Sequence, residues 1–101
     1  MFLYGACVLA IHAQWTGSNA AGTIASTSTG VVTDDTWKCS AVEQTDWHLP
    51  GFGDSAWSQA QVMGANDGSH SEVITAVSAQ AKWIWAQDPQ PGSVYCRKML
   101  C

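Results

Sequence analysis

The chain has few charged residues, and fewer of them are basic than acidic. Asp, Glu, Lys and Arg make up 12% of its 101 residues, about half the share usual in soluble proteins. Four residues are Lys or Arg and eight are Asp or Glu, so the formal net charge is -4. Nucleic acids and anionic membrane surfaces are bound through clustered basic side chains. The composition therefore argues against both kinds of partner.

Motifs for zinc binding, catalysis and glycosylation are also missing. No cysteines form a C-x-x-C pair, and no histidine lies three to five residues from another, so the spacing predicts no zinc site. The chain has neither a Gly-rich phosphate loop nor an N-x-[ST] sequon. The loop Ser69-His70-Ser71-Glu72 places hydroxyls beside a base, but catalytic geometry is set by the fold and not by adjacency. We therefore predict no catalytic residues and no enzyme activity.

Two interpretations of the opening MFLYGACVLAIHAQ are open, a signal peptide or a buried strand. No Lys or Arg precedes the apolar run, and Ile11 interrupts the small-x-small cleavage pattern. The run is also too short to span a membrane. The continuous apolar sequence CVLAI is typical of a strand covered on both faces. We favour the strand.

Short apolar segments separated by turn sequences predict an all-β fold. Hydrophobic residues make up 47% of the chain, so its low charge does not indicate disorder. No segment has a helical period, although DSAWSQA could form one helical turn capped by Asp54 or Ser55. Turn signals stand in TGSNAAG, LPGFGD, GANDGSHS and QDPQPG. The predicted strands are Ala6–Ala13, Gly22–Ser28, Thr36–Ala41, Gln61–Met63, Lys82–Ala86 and Val94–Met99.

Four motifs carry a resemblance to a known family. TDDTWKCS, DWHLPGFGDSAW, AKWIW and VYCRK, in this order and spacing, resemble the galactose-binding-domain-like β-sandwich. This jelly-roll module occurs in discoidin-type lectin domains and is appended to glycoside hydrolases. Gly53 replaces an aspartate of the family's motif, so a polar contact there is not expected. The resemblance implies one antiparallel jelly-roll β-sandwich domain over residues 1–101.

The same resemblance concerns the start of the chain. CVLAIHAQWTG resembles the family's central strand, before which several other strands stand in the family. The chain therefore resembles the C-terminal two-thirds of such a domain. We expect it to need additional polypeptide, from a longer chain or a partner, because a central strand left at an edge invites pairing.

The six tryptophans divide into core and loop candidates. Trp83 and Trp85 lie two apart and share a strand face, where they could stack on a sugar or form core. We favour the core, as the resemblance also implies. Trp37 is predicted to pack beside Cys39, and Trp57 to anchor the loop before it.

The predicted ligand-binding residues are Trp15, Asp46, Trp47 and His48. Trp15 and Trp47 lie at loop edges, and loops carry most binding functions on β-sandwiches. An aromatic ring beside a carboxylate and an imidazole is suited to a sugar. The alternative is that both tryptophans are structural.

One disulfide is predicted, between Cys39 and Cys96. Both cysteines lie inside predicted strands, and the resemblance places both within the sandwich. Cys7 is expected to be a buried thiol, and Cys101 to be free or paired elsewhere. An even cysteine count in a Trp-rich chain favours an oxidising compartment.

We expect no cofactor. The alternative is a structural calcium ion, for which NDGSHSE has a suitable composition. Calcium needs roughly six to eight oxygen ligands at one point. The simpler interpretation is that Asp34, Asp54 and Asp88 form turns and caps.

The sequence therefore predicts a secreted, non-catalytic carbohydrate-binding module. The alternatives are a structural or assembly module of an extracellular protein or fibre, and an accessory domain of a glycoside hydrolase. The expected partners are glycans or extracellular protein chains, without nucleic acid and without a membrane span.

Overall fold

Antiparallel β-strands are the only regular secondary structure in the described residues of this computed structural model. These are residues 8–15, 22–70, 72–87 and 92–100, and they include no helix that could cross a membrane. The strands are β1 (Val8–Trp15), β2 (Lys38–Ser40), β3 (Ser58–Gln59), β4 (Gln61–Ala65), β5 (Lys82–Trp85) and β6 (Gly92–Met99). The predicted all-β class is confirmed.

The larger sheet has four strands in the order β1-β6-β2-β3. β1 pairs with β6 along its whole length, from Val8 opposite Met99 to Trp15 opposite Gly92. On its other side β6 pairs with β2, and Cys39 lies directly opposite Cys96. The predicted disulfide is present there, with sulfur atoms 2.08 Å apart. It fastens β2 to β6 at the centre of this sheet.

The smaller sheet pairs β4 with β5. Its ladder shifts register between Val62 and Gly64. An added Cβ at Gly64 would collide with the His70 side chain, so this position requires glycine. The chain passes from β3 to β4 through Ala60, which is buried.

Both sheets contribute to one hydrophobic core. Leu9, Ile11, Ala13, Val31 and Met63 pack against its edge. The Trp37 indole N–H donates to the Val32 carbonyl at 2.9 Å, which removes the cost of burying that polar group. The fully or nearly buried members are Trp37, Cys39, Ala60, Ile84, Trp85, Ala86, Val94 and Cys96.

The predicted structural roles of the strand tryptophans largely agree with this core. Trp37 and Cys39 are buried together in the core, and Trp57 is buried with its ring against Phe52 in the loop before it. Trp85 is buried, whereas Trp83 is partly buried. Ile84, which strand alternation places on the face opposite the two tryptophans, is also buried, so both faces of β5 are covered there.

The prediction that CVLAI is covered on both faces is wrong for its described residues. Burial alternates from Leu9 to Gln14: Leu9, Ile11 and Ala13 are partly buried, and Ala10, His12 and Gln14 are exposed. Among the described residues β1 pairs only with β6. Its alternation, visible in Ile-His-Ala-Gln, is that of a strand with one solvated face. Cys7 lies outside the described residues.

Two further local predictions are corrected. Gly22–Ser28 contains only isolated bridges, from Thr23 to Ile84 and from Ser26 to Val32. DSAWSQA forms a non-helical turn, with Trp57 N–H donating to the Asp54 carbonyl at 2.9 Å. The turn leads into β3, which the sequence did not predict, because two residues are too few for a detectable period.

The loop after β4 is organised by buried Asn66. Its Oδ1 accepts from Ile74 N–H at 2.8 Å, and its Nδ2 donates to the Ile74 carbonyl at 3.0 Å. Nδ2 also lies within hydrogen-bond distance of the Val77 and Ser78 carbonyls. One amide thus replaces the strand pairing that residues 74–78 lack.

We expect Asn66→Ala to lower the free energy of unfolding by about 2 kcal/mol, because it leaves several partly buried backbone groups without their side-chain partner. Urea unfolding of both proteins measures the change. Asn66→Asp, which keeps the acceptor and loses the donors, should fall between them. An unchanged unfolding midpoint for Asn66→Ala would show that this loop does not depend on the amide.

Candidate ligand-binding site

The segment after β2 forms a tight turn that presents polar side chains to solvent. Trp47 N–H donates to the Gln44 carbonyl at 3.2 Å, and Leu49 N–H donates to the Asp46 carbonyl at 3.0 Å. Asp46 has a φ of 62°, a left-handed conformation that Asp and Asn adopt more readily than most residues. Residues 41–46 and His48 are exposed.

Trp47 is the exception in this turn, because its side chain is 7% exposed. Its ring stacks on Trp57 with centroids 6.1 Å apart and meets Tyr95 edge-on at 5.3 Å. The predicted role as an open stacking plate therefore does not fit its position. Trp47 instead anchors the turn, and its neighbours Asp46 and His48 face solvent.

Arg97 holds the same turn from β6. Its Nε donates to the Trp47 carbonyl at 2.8 Å, and its Nη2 donates to the Leu49 carbonyl at 2.9 Å. Its Nη1 forms an ion pair with Asp54, and the guanidinium lies 5.3 Å from the Phe52 ring centroid. The Arg97 side chain is fully buried. Its charge and donors are therefore committed to the loop.

The anchored turn surrounds an open depression of about 270 Å³, which we call the loop depression. Two carboxylates, an amide, a hydroxyl and an imidazole belong to its lining residues. Its surface is therefore rich in hydrogen-bonding groups. The lining residues are Glu43, Gln44, Thr45, Asp46, Trp47 and His48.

Three of the four predicted site residues thus line one depression, and the fourth is not shown to join them. The backbone of Trp15 pairs with Gly92 at the end of β1, but its side chain lies outside the described part of the structure. Next to the turn, His12 stacks on Tyr95 with ring centroids 4.5 Å apart. No local sequence pattern marks Tyr95 or Arg97 as part of the site, because their contacts are with residues far away along the chain.

The described aspartates act in turns and in the Arg97 pair. Asp34 Oδ1 accepts from Thr36 N–H, and Asp67 Oδ1 accepts from Ser69 N–H, both at 2.9 Å. Hydrogen bonds from the Ser69 hydroxyl and backbone lower the pKa of Asp67. Over the described ranges, no three His, Cys, Asp or Glu side chains are placed to hold a metal ion. Ser71, Asp88 and Cys101 lie outside those ranges.

No protein-family model, curated protein or solved structure matches the chain.

Proposed function

We propose that this chain is a secreted, non-catalytic carbohydrate-binding module of the galactose-binding-like jelly-roll type. One observation carries the proposal. Trp47 and Arg97 fix the turn from inside, so that Asp46 and His48 line an open depression with the side chains of Glu43, Gln44 and Thr45. The antiparallel strands and the shared core support the fold part of the proposal.

The chemistry of the depression suits sugar hydroxyl groups. A carboxylate accepts hydrogen bonds, whereas an amide and a hydroxyl both donate and accept them. Neighbouring sugar hydroxyls offer the complementary mixture. The depression is open to solvent, so a single site binds weakly, and useful avidity comes from several linked copies.

A structural or assembly module, in an extracellular protein or a glycoside hydrolase, is the second candidate. The position of β1 favours it, because β1 lies at the edge of the four-stranded sheet among the described strands. Over Val8–Trp15 it contains no Lys, Arg, Asp, Glu or Pro, the residues that usually protect an edge against pairing. In that case another chain adds a strand beside β1.

Glycan arrays probed with a multimeric form of the protein test the first candidate. We expect the wild type to bind and Asp46→Asn to weaken binding about tenfold, because a hydrogen bond to a charged group is worth about 1.5 kcal/mol or more. Asparagine tolerates the backbone conformation at position 46. Asp35→Asn, at an exposed position outside the depression, is the matched control and should bind like the wild type.

Trp47→Ala is a poor test, because it removes a buried ring. His48→Ala provides an independent change in the depression without loss of a buried side chain. Absence of glycan binding by the wild type, or equal binding by the Asp46→Asn/His48→Ala double variant, would leave the assembly module as the better function.

A further inference from the structure

A second cleft shares the lining residue Gln44 with the loop depression. Its volume is about 420 Å³, which is within the range of small-ligand sites. Gln44 lines both cavities, so they adjoin. We call this second cavity the neutral cleft. It is lined by Cys39, Ser40, Ala41, Val42, Gln44, Ala56, Trp57, Ser58, Ala86 and Gln87.

Among the described residues that line it, the neutral cleft has no group that ionises near neutral pH. Cys39 is in the disulfide with Cys96, and none of the other described lining residues is Asp, Glu, His, Lys or Arg. A charged ligand group would lose hydration there without gaining an ionic partner. The lining therefore selects for a neutral ligand. The loop depression, with two carboxylates and an imidazole, differs in this respect.

The walls combine a rigid apolar base with polar groups that are available to a ligand. Cys39, Trp57 and Ala86 are buried core residues, so this part of the cleft is preformed. Gln87 Nε2 donates to the Gln59 carbonyl at 2.8 Å. Within the described residues, Gln87 Oε1, the Gln44 side-chain amide and the Ser58 hydroxyl have no hydrogen-bond partner. Apolar surface with a few convergent polar groups is the usual composition of a ligand site.

We infer that the neutral cleft is a second sugar subsite, so that the ligand is a neutral oligosaccharide spanning both cavities. This inference rests on the proposed glycan binding. One sugar residue occupies the loop depression, its neighbour occupies the neutral cleft, and Gln44 lies between them. Recognition by the second subsite uses the Gln87 and Ser58 polar groups and the apolar surface around Trp57. The chain thereby distinguishes an oligosaccharide from its terminal sugar.

The test uses an array of neutral glycans with one to four sugar residues, together with sialylated and sulfated glycans of the same lengths. We expect neutral oligosaccharides to bind about tenfold more tightly than the corresponding monosaccharides, and acidic substituents to give no gain. Ser58→Ala/Gln87→Ala should remove the gain with length and leave monosaccharide binding unchanged. Asp46→Asn should weaken monosaccharides and oligosaccharides alike.

A steric variant tests the subsite without deleting a hydrogen bond. Ala41 is an exposed cleft residue, so Ala41→Phe should obstruct the cleft and again remove the gain with length. Ala76→Phe, at an exposed position outside the cleft, should behave like the wild type. In NMR titrations with the tightest-binding array oligosaccharide, the side-chain amide signals of Gln44 and Gln87 should shift.

Two failures are distinguishable. Equal affinity for monosaccharides and oligosaccharides, or an unchanged length dependence in Ala41→Phe, would overturn the second subsite and leave the proposed function standing. No binding to any glycan would overturn both.

Discussion

Replacing Cys39 and Cys96 together by alanine is expected to lower the free energy of unfolding by about 4 kcal/mol. The disulfide joins residues 57 positions apart, so it restricts the unfolded chain strongly. In the folded protein the two residues lie directly opposite each other on β2 and β6. A domain of this size is stable by only about 5 to 15 kcal/mol. The loss should therefore remove a large part of its stability.

Urea unfolding of the wild type and the double variant measures this loss. Wild type and variant unfolded in the same thiol reductant should have similar midpoints, because both then lack the Cys39–Cys96 link. Peptide mapping under non-reducing conditions should recover the Cys39 and Cys96 peptides joined. A singly recovered Cys39 peptide that is alkylated in the native protein would contradict the disulfide.

Strand positions, the disulfide and the buried strand tryptophans could be predicted from the sequence. β5 and β6 lie at or near their predicted positions, because strand formers there stand between clear turn signals. The pairing of Cys39 with Cys96 followed from the resemblance together with two cysteines inside predicted strands. Trp37 shares a strand face with Cys39, and Trp85 shares one with Trp83. Both Trp37 and Trp85 are buried as expected.

The errors concern neighbours that local pattern does not specify. β1 was predicted to be covered on both faces from the apolar run CVLAI, yet its later residues alternate and it pairs only with β6 among the described strands. Whether such a strand is central or at an edge depends on which other strands reach it. The sequence of β1 shows the alternation, but it does not show which strands pair with β1.

The candidate site shows the same limit. Asp46 and His48 were expected in an accessible loop, and both are exposed. Trp47, between them, is buried because Tyr95 and Trp57 provide rings for it to pack against. Its orientation thus depends on β6, about half the chain away. Arg97 could not be predicted in the same way, because strand alternation places it on the face of β6 opposite Val94 and Cys96. The distant turn residues Trp47, Leu49 and Asp54 contact its side chain there.

Arg97→Met is expected to lower the free energy of unfolding by about 3 kcal/mol, because breaking a buried ion pair by removing one partner leaves the other uncompensated. The substitution also leaves the Trp47 and Leu49 carbonyls without the donors that hold them. The Asp54 side chain is 22% exposed, so water can partly hydrate its carboxylate. The loss of unfolding free energy is therefore at the lower end of the range for buried ion pairs. Urea unfolding measures the change.

The matched control for this substitution is the next residue, Lys98→Met. The Lys98 ammonium donates to the exposed Thr36 hydroxyl at 2.8 Å. Water can replace either partner of this surface bond, so its removal should cost less than about 1 kcal/mol. Arg97→Lys should fall between the two, since one ammonium keeps the charge but cannot bond Asp54 and both carbonyls at once.

NMR signals can show whether Arg97 positions the turn or only contributes to packing, which a stability measurement alone cannot. If Arg97 holds the turn in place, Arg97→Met should shift the backbone amide NMR signals of residues 43–49 while those of β4 and β5 keep their wild-type positions. Glycan binding should also fall in Arg97→Met, because Asp46 and His48 belong to that turn.

The Asp54→Ala/Arg97→Met double variant should be less destabilised than the sum of the single variants, since the two side chains form one pair. Additive losses, or a turn whose signals do not move, would show that the turn is held by Trp47 packing alone.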